Sequence, residues 1–211
     1  MLTVVLNLIV FVPYHYLQQH QFFPTTVMPM SVVDRLIPFV DWTVVIYLSV
    51  YLLMPIGPFL MNDRKQIFRY SAGVILMGVM ADVAFLFWPT VCLRPAVEST
   101  NPIYQSLISI DTPFHAFPSL HAAFAVYSAL CGILVFTEMN RHWMWQVGFW
   151  FWTLAILLAT LTTRQHVLVD LVGGSILAVG AYFIVFRERT SFKDTKQNEP
   201  LPAQPNQLVN L

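Results

Sequence analysis

The sequence predicts an all-α polytopic membrane bundle of six transmembrane helices, and three observations predict it. Hydrophobic residues make up 57% of the 211 positions and charged residues only 10%, far from the balance of a soluble domain. The apolar residues are grouped into runs close to the roughly 20 residues that cross a bilayer. The prolines and charges gather between those runs, where they punctuate loops.

Met1 to Leu17 is the first and shortest span, and it carries neither a basic n-region nor a small-residue cleavage site of a signal peptide. Residues 18–41 form a Pro-punctuated loop with Asp34, Arg35 and Asp41, in which no chemistry is evident. Trp42 to Met61 is the second span, broken late by Pro55, Gly57 and Pro58. Tyr70 to Trp88 is the third, with Asp82 expected to face the bundle interior because an ionisable group facing lipid is costly. Residues 89–117 are a long connection, and Pro102 to Ile110 within it suit a short interfacial helix. Pro118 to Glu138, Met144 to Leu161 and His166 to Phe186 complete the set. Residues 1–189 thus read as one membrane domain, and the polar, Pro-containing stretch 190–211 as a disordered tail.

Charge gives the orientation. Formal net charge is zero, which points to no nucleic-acid partner. With alternating spans, the loops at 62–69 and 139–143 and the stretch from Arg187 to Leu211 share eight of the eleven basic residues, which marks that side and the tail as cytoplasmic. The opposite, periplasmic, extracellular or luminal side keeps only Arg35, Arg94 and Arg164. Two cysteines, Cys92 and Cys131, are too few for a disulfide framework or a Cys-based metal site.

The candidate chemistry collects on that outer side. In Phe117-Pro118-Ser119-Leu120-His121, Pro118 suits the first helical position, which makes His121 a first-turn residue at a terminus that favours anions. Ser119 adds a hydroxyl. In His166-Val-Leu-Val-Asp170, the i,i+4 spacing lets Asp170 hold one ring nitrogen of His166 and leave the other for chemistry. A carboxylate-oriented His and a second His at another helix end are the layout of a nucleophile and a general acid around one anion. His15, His20 and His142 read as interfacial side chains, and His115 as a solvent or packing residue within reach of substrate.

These residues resemble the type 2 phosphatidic acid phosphatases (PAP2), which share a catalytic core with the vanadium haloperoxidases. The resemblance rests on Arg94-Pro95, Pro118-Ser119-Leu120-His121, and His166 with Asp170, in the family's order and between the expected spans. Phe87 stands where the first signature has Lys, Leu120 where the second has Gly, and Ala159-Thr160 where the third has Ser-Arg. The Phe-Pro-Ser-Leu-His form, with Thr-Arg-Gln-His and Gly173-Gly174, looks closest to the branch containing inositol phosphorylceramide synthases.

The resemblance implies a lipid-phosphate phosphatase that uses no metal or other cofactor. His166 attacks phosphorus, Asp170 orients it, and His121 protonates the departing alcohol; water or a lipid hydroxyl then resolves the phosphohistidine. Arg94, Ser119 and Arg164 are the expected phosphate contacts, the last assigned from this sequence rather than from the family. Head-group transfer between lipids is the alternative reaction, and a membrane transporter the non-enzyme one. A lipid phosphate held in the bilayer is the expected partner.

Overall fold

The computed structural model describes residues 12–94 and 98–197, with the backbone alone for 188–197. Most of the expected first span lies outside the described residues; helix α1 is seen from residue 12 to residue 19. The chain continues through β1 (Thr26–Val27), α2 (Val32–Leu36), a 3-10 turn (Asp41–Thr43), α3 (Val44–Leu48), α4 (Val50–Leu60) and α5 (Arg64–Phe87). It then forms β2 (Thr90–Val91), α6 (Pro102–Ile110), α7 (Leu120–Glu138), α8 (Trp143–Thr162) and α9 (Leu168–Gln197). Among the described residues, five helical segments are long and apolar enough to cross a membrane: Asp41–Leu60, Arg64–Phe87, Leu120–Glu138, Trp143–Thr162 and Leu168–Arg187.

The second span is not broken at Pro55 and Pro58, which both lie inside α4. Its discontinuity falls at Ser49, whose hydroxyl donates to the Ile46 carbonyl (2.6 Å) and accepts from the Trp152 indole N–H (2.8 Å). In a membrane, freed backbone groups at helix-interior prolines are re-satisfied by neighbours, so the helix survives them. The third span begins earlier than hydropathy places it, because Asp63 caps α5 by accepting from Lys65 N–H (2.9 Å). Helix α9 continues to Gln197, and 198–211 lie outside the described residues.

Helix α7 is the hub: 13 of its 19 residues are buried, and it packs on α4, α5, α8 and α9. Ala122, Ala123, Ala125 and Ala129 give it a narrow surface that lets neighbouring backbones approach, the usual basis of helix packing where lipid offers no hydrophobic gain. Tyr127 donates to the Tyr70 carbonyl (3.2 Å) and Tyr70 donates to the Met54 carbonyl (2.7 Å), which ties α7, α5 and α4 together. Such interhelical bonds contribute on the order of 0.6 kcal/mol each. At the other end Gln66 donates to Glu138 (2.8 Å), so the start of α5 and the end of α7 share one end of the bundle.

The loops at the opposite end fold into a layer with its own small core of Met28, Cys92, Ala116 and Val167. Strands β1 and β2 pair in parallel, Thr26 with Thr90 and Val27 with Val91, and Val91 also bridges Phe114. Thr90 is fully buried; its carbonyl accepts from His115 N–H and its hydroxyl oxygen from Phe117 N–H, both at 2.8 Å.

Candidate active site

Two helix starts meet beneath that layer. Ser119, not Pro118, opens α7: it is the N-cap, its hydroxyl oxygen accepts from Ala122 N–H (3.3 Å), and the bond between Phe117 and Pro118 just before it is cis. His121 is therefore still in the first turn, at the second helical position instead of the expected fourth. Ser119 N–H donates to the Asp170 carbonyl (3.1 Å), and a Cβ at Gly174 would lie 2.2 Å from the Ser119 carbonyl. The absence of that Cβ is what lets the starts of α7 and α9 touch.

His166 lies two residues before α9 rather than within it, so its contact with Asp170 is not a stacking of side chains on a helix face. Asp170 instead acts as a cap. Its Oδ2 accepts from Val167 N–H (3.1 Å) and stands 3.4 Å from His166 Nδ1, while its Oδ1 is buried without a partner. The contact is slightly long for a hydrogen bond.

His121 approaches from the other side. Its Nδ1 shares a 3.1 Å hydrogen bond with the Tyr47 hydroxyl, the two rings stack 4.2 Å apart, and its Nε2 is buried without a partner. The His121 and His166 ring centres are 6.4 Å apart. Both line one small polar cavity, together with Arg94, Asp111, Thr112, His115 and Gln165. Arg94 donates to the Asp111 carbonyl (2.8 Å) and lies 3.4 Å from its carboxylate, leaving its Nε buried and unpartnered. An open apolar groove of about 1610 Å³, lined by Val50, Met54 and Phe124 among others, also reaches His121.

Two expected phosphate contacts are placed elsewhere. The Ser119 hydroxyl oxygen caps α7 by accepting from Ala122 N–H, and Ser119 does not line the cavity. Arg164, at φ 58°, donates to the carbonyls of Asp34 (2.5 Å) and Ile37 (2.6 Å) and so anchors α2 instead of facing the cavity. Asp34 completes that clamp. Its carboxylate accepts from Leu168 N–H (2.7 Å) at the start of α9 and from Ser31 N–H (2.7 Å) in its own capping box.

Sequence reasoning missed Tyr47 and Asp34, whose partners lie 74 and 134 residues away. It also left His115 and Gln165 without a role. His115, 3% exposed, is held between Tyr14 and Phe85, and burial lowers its pKa against the opposing pull of the Leu17 carbonyl. Burial pushes the Cys92 thiol up to about 12, so it is no nucleophile at neutral pH. Among the described residues, no three His, Cys, Asp or Glu side chains are grouped to hold a metal ion.

A family model described as the PAP2 superfamily matches residues 67–193, more than half of the chain. The chain belongs to the PAP2 superfamily. No curated protein and no solved structure matches it. The PAP2 match runs from α5 into α9 and holds Arg94, His121, His166 and Asp170; the part outside it supplies Tyr47 and the Asp34 clamp. PAP2 membership gives a helical membrane fold and activity of phosphatase or phosphotransferase type.

Proposed function

We propose that the protein hydrolyses a lipid-linked phosphate by way of a phosphohistidine, on the non-cytoplasmic face of its membrane and without a metal. The observation that carries this reading is the meeting of two histidines 6.4 Å apart across one cavity, one beside a buried carboxylate and the other on a tyrosine hydroxyl. His166 Nε2, with no hydrogen bond of its own among the described residues, attacks phosphorus while Asp170 stabilises the ring as it gains positive charge. His121 Nε2 gives its proton to the departing oxygen. Water attacks phosphorus and passes a proton to the now neutral His121 as the P–N bond breaks and its electron pair returns to His166.

Arg94 is the cation at the cavity, and the N–H groups of Leu120 and His121 lie in the open first turn of α7. Fixed donors of this kind are what phosphoryl transfer relies on most. The apolar groove beside His121 suits the tail of a substrate whose head enters from the bilayer. The Phe-Pro-Ser-Leu-His form favours, as a second reading, transfer to a lipid hydroxyl as in the inositol phosphorylceramide synthase branch.

The test is phosphate release from a panel of lipid phosphates by detergent-purified protein in EDTA, beside His166→Ala and with a lipid alcohol added in parallel. Release by the parent, reduced by about a thousandfold or more in the variant, is expected. A new phospholipid in place of free phosphate would establish transfer, and silence in both arms would sink the enzymatic reading.

A further inference from the structure

Five residues that line the polar cavity contribute buried side-chain atoms that make no hydrogen bond and have no contact assigned above: Arg94 Nε, Thr112 Oγ1, the ring nitrogens of His115, which approach the Leu17 carbonyl without bonding geometry, His121 Nε2 and Gln165 Oε1. Buried polar atoms without partners are exceptional, so this concentration points to a ligand. Most of the set suits a phosphoryl group. The Arg94 N–H donates, the Thr112 hydroxyl donates, and the histidines are already assigned or can donate.

Gln165 does not suit it. Its side-chain nitrogen is committed to the Thr163 carbonyl (3.3 Å), so the atom facing no partner is the carbonyl oxygen, which only accepts. An amide oxygen repels an ionised phosphate oxygen and requires an O–H or N–H from its ligand. Gln165 is 2% exposed and immediately precedes His166, so that requirement is built in beside the nucleophile. His115 faces the same cavity with φ 61°, a conformation uncommon outside glycine.

We propose that Gln165 and His115 form a subsite for the nucleophile that resolves the phosphohistidine, and that this subsite selects a molecule with two O–H groups to donate, either water or a polyol. The inference rests on the phosphohistidine reading. In the second step the hydroxyl oxygen attacks phosphorus, the bond from phosphorus to His166 Nε2 breaks, and its electron pair stays on the imidazole. The proton from that hydroxyl passes to His121, neutral since it protonated the first leaving group. Gln165 Oε1 accepts the second O–H, which is not transferred, and His115 donates to or accepts from the same molecule. A monohydric alcohol can satisfy His121 or Gln165, but not both.

The experiment is rapid-quench kinetics with radiolabelled phosphatidic acid and radiolabelled farnesyl diphosphate on the full-length protein, following the acid-labile phosphoenzyme. Buffer alone, glycerol and 1-propanol are the three arms, and Gln165→Met, Gln165→Glu and His115→Asn the variants. The expected result is that Gln165→Met forms the phosphoenzyme within about twofold of the parent rate but resolves it about tenfold or more slowly. Gln165→Glu, which keeps an acceptor oxygen, recovers resolution, and His115→Asn repeats the Gln165→Met pattern. Free phosphate alone identifies water, and glycerol phosphate a polyol, as the occupant.

Equal slowing of formation and resolution in Gln165→Met and His115→Asn would mean a structural role and overturn the subsite. Faster resolution by 1-propanol than by glycerol in the parent would overturn its selectivity. Phosphate release with no phosphoenzyme on His166 would instead remove the reading beneath it, and the subsite with it.

Discussion

At the scale of the residue, the site is a set of charges and protons held by short-range contacts. Asp170 both caps and faces His166, so its two roles separate on substitution. Asp170→Asn keeps an acceptor for Val167 N–H but loses the charge; phosphate release is expected to fall by about a hundredfold or more with the thermal midpoint nearly unchanged. His115 has a pH consequence of its own. Burial lowers its pKa, so between the folded value and the ordinary value near 6.5 the unfolded chain binds a proton that the folded chain does not. Stability is therefore lost as pH drops below about 6.5, and His115→Asn should flatten the fall of the melting midpoint over that range. His121, His166, Asp170 and Arg94 were legible in the sequence because each sits in a short motif whose spacing carries its meaning. Tyr47 was not, since a tyrosine in an apolar span has nothing local to mark it as the partner of a histidine 74 residues on.

Among elements, what counts is how the starts of α7 and α9 are brought together and kept there. Gly174→Ala would drive a Cβ against the Ser119 carbonyl, a backbone atom that can yield only if the two helices part. The expected outcome is a stability loss of about 1–3 kcal/mol, with activity falling further than that loss explains, because the same movement separates His121 from His166. Asp34→Ala removes the acceptor of Leu168 N–H and half of the Ser31 capping box. It should lower stability by about 1–2 kcal/mol and reduce kcat with little change in KM, since the clamp holds the start of α9 beside His166 and does not line the apolar groove. The helices themselves were legible from hydropathy within a few residues, but their caps moved the boundaries: Asp63 starts α5 early, and Ser119 displaces Pro118 from the helix. The loop at 18–41 looked inert because a clamp built from carbonyls and one carboxylate leaves no compositional trace.

Over the whole molecule, the two ends of the bundle differ in charge. Arg64, Lys65 and Arg69 open α5 beside the Gln66 to Glu138 bond, with Arg141 just after α7, and the cavity occupies the far end. If basic residues mark the cytoplasmic face, Thr100→Cys should react in intact cells with a maleimide that cannot cross the membrane, and Asn62→Cys only after permeabilisation. The native Cys92 and Cys131 are both buried and give little background. The reverse labelling would invert the molecule and move the chemistry to the other compartment. The bundle was legible as a whole because lipid imposes a single pattern on every span. The folded loop layer was not, because its pairing of Thr26 with Thr90 joins segments that share no periodicity.

Thr90 joins these scales. It follows the end of α5 by three residues and holds His115 and Phe117 by two hydrogen bonds, just before the helix that carries His121. Thr90 thereby ties the end of α5 to the segment that leads into α7. Tilt in turn answers to the mismatch between a span and the thickness of its bilayer. If a span tied to the site's loop in this way changed tilt, a thicker or thinner membrane would reach the cavity without any molecule binding there.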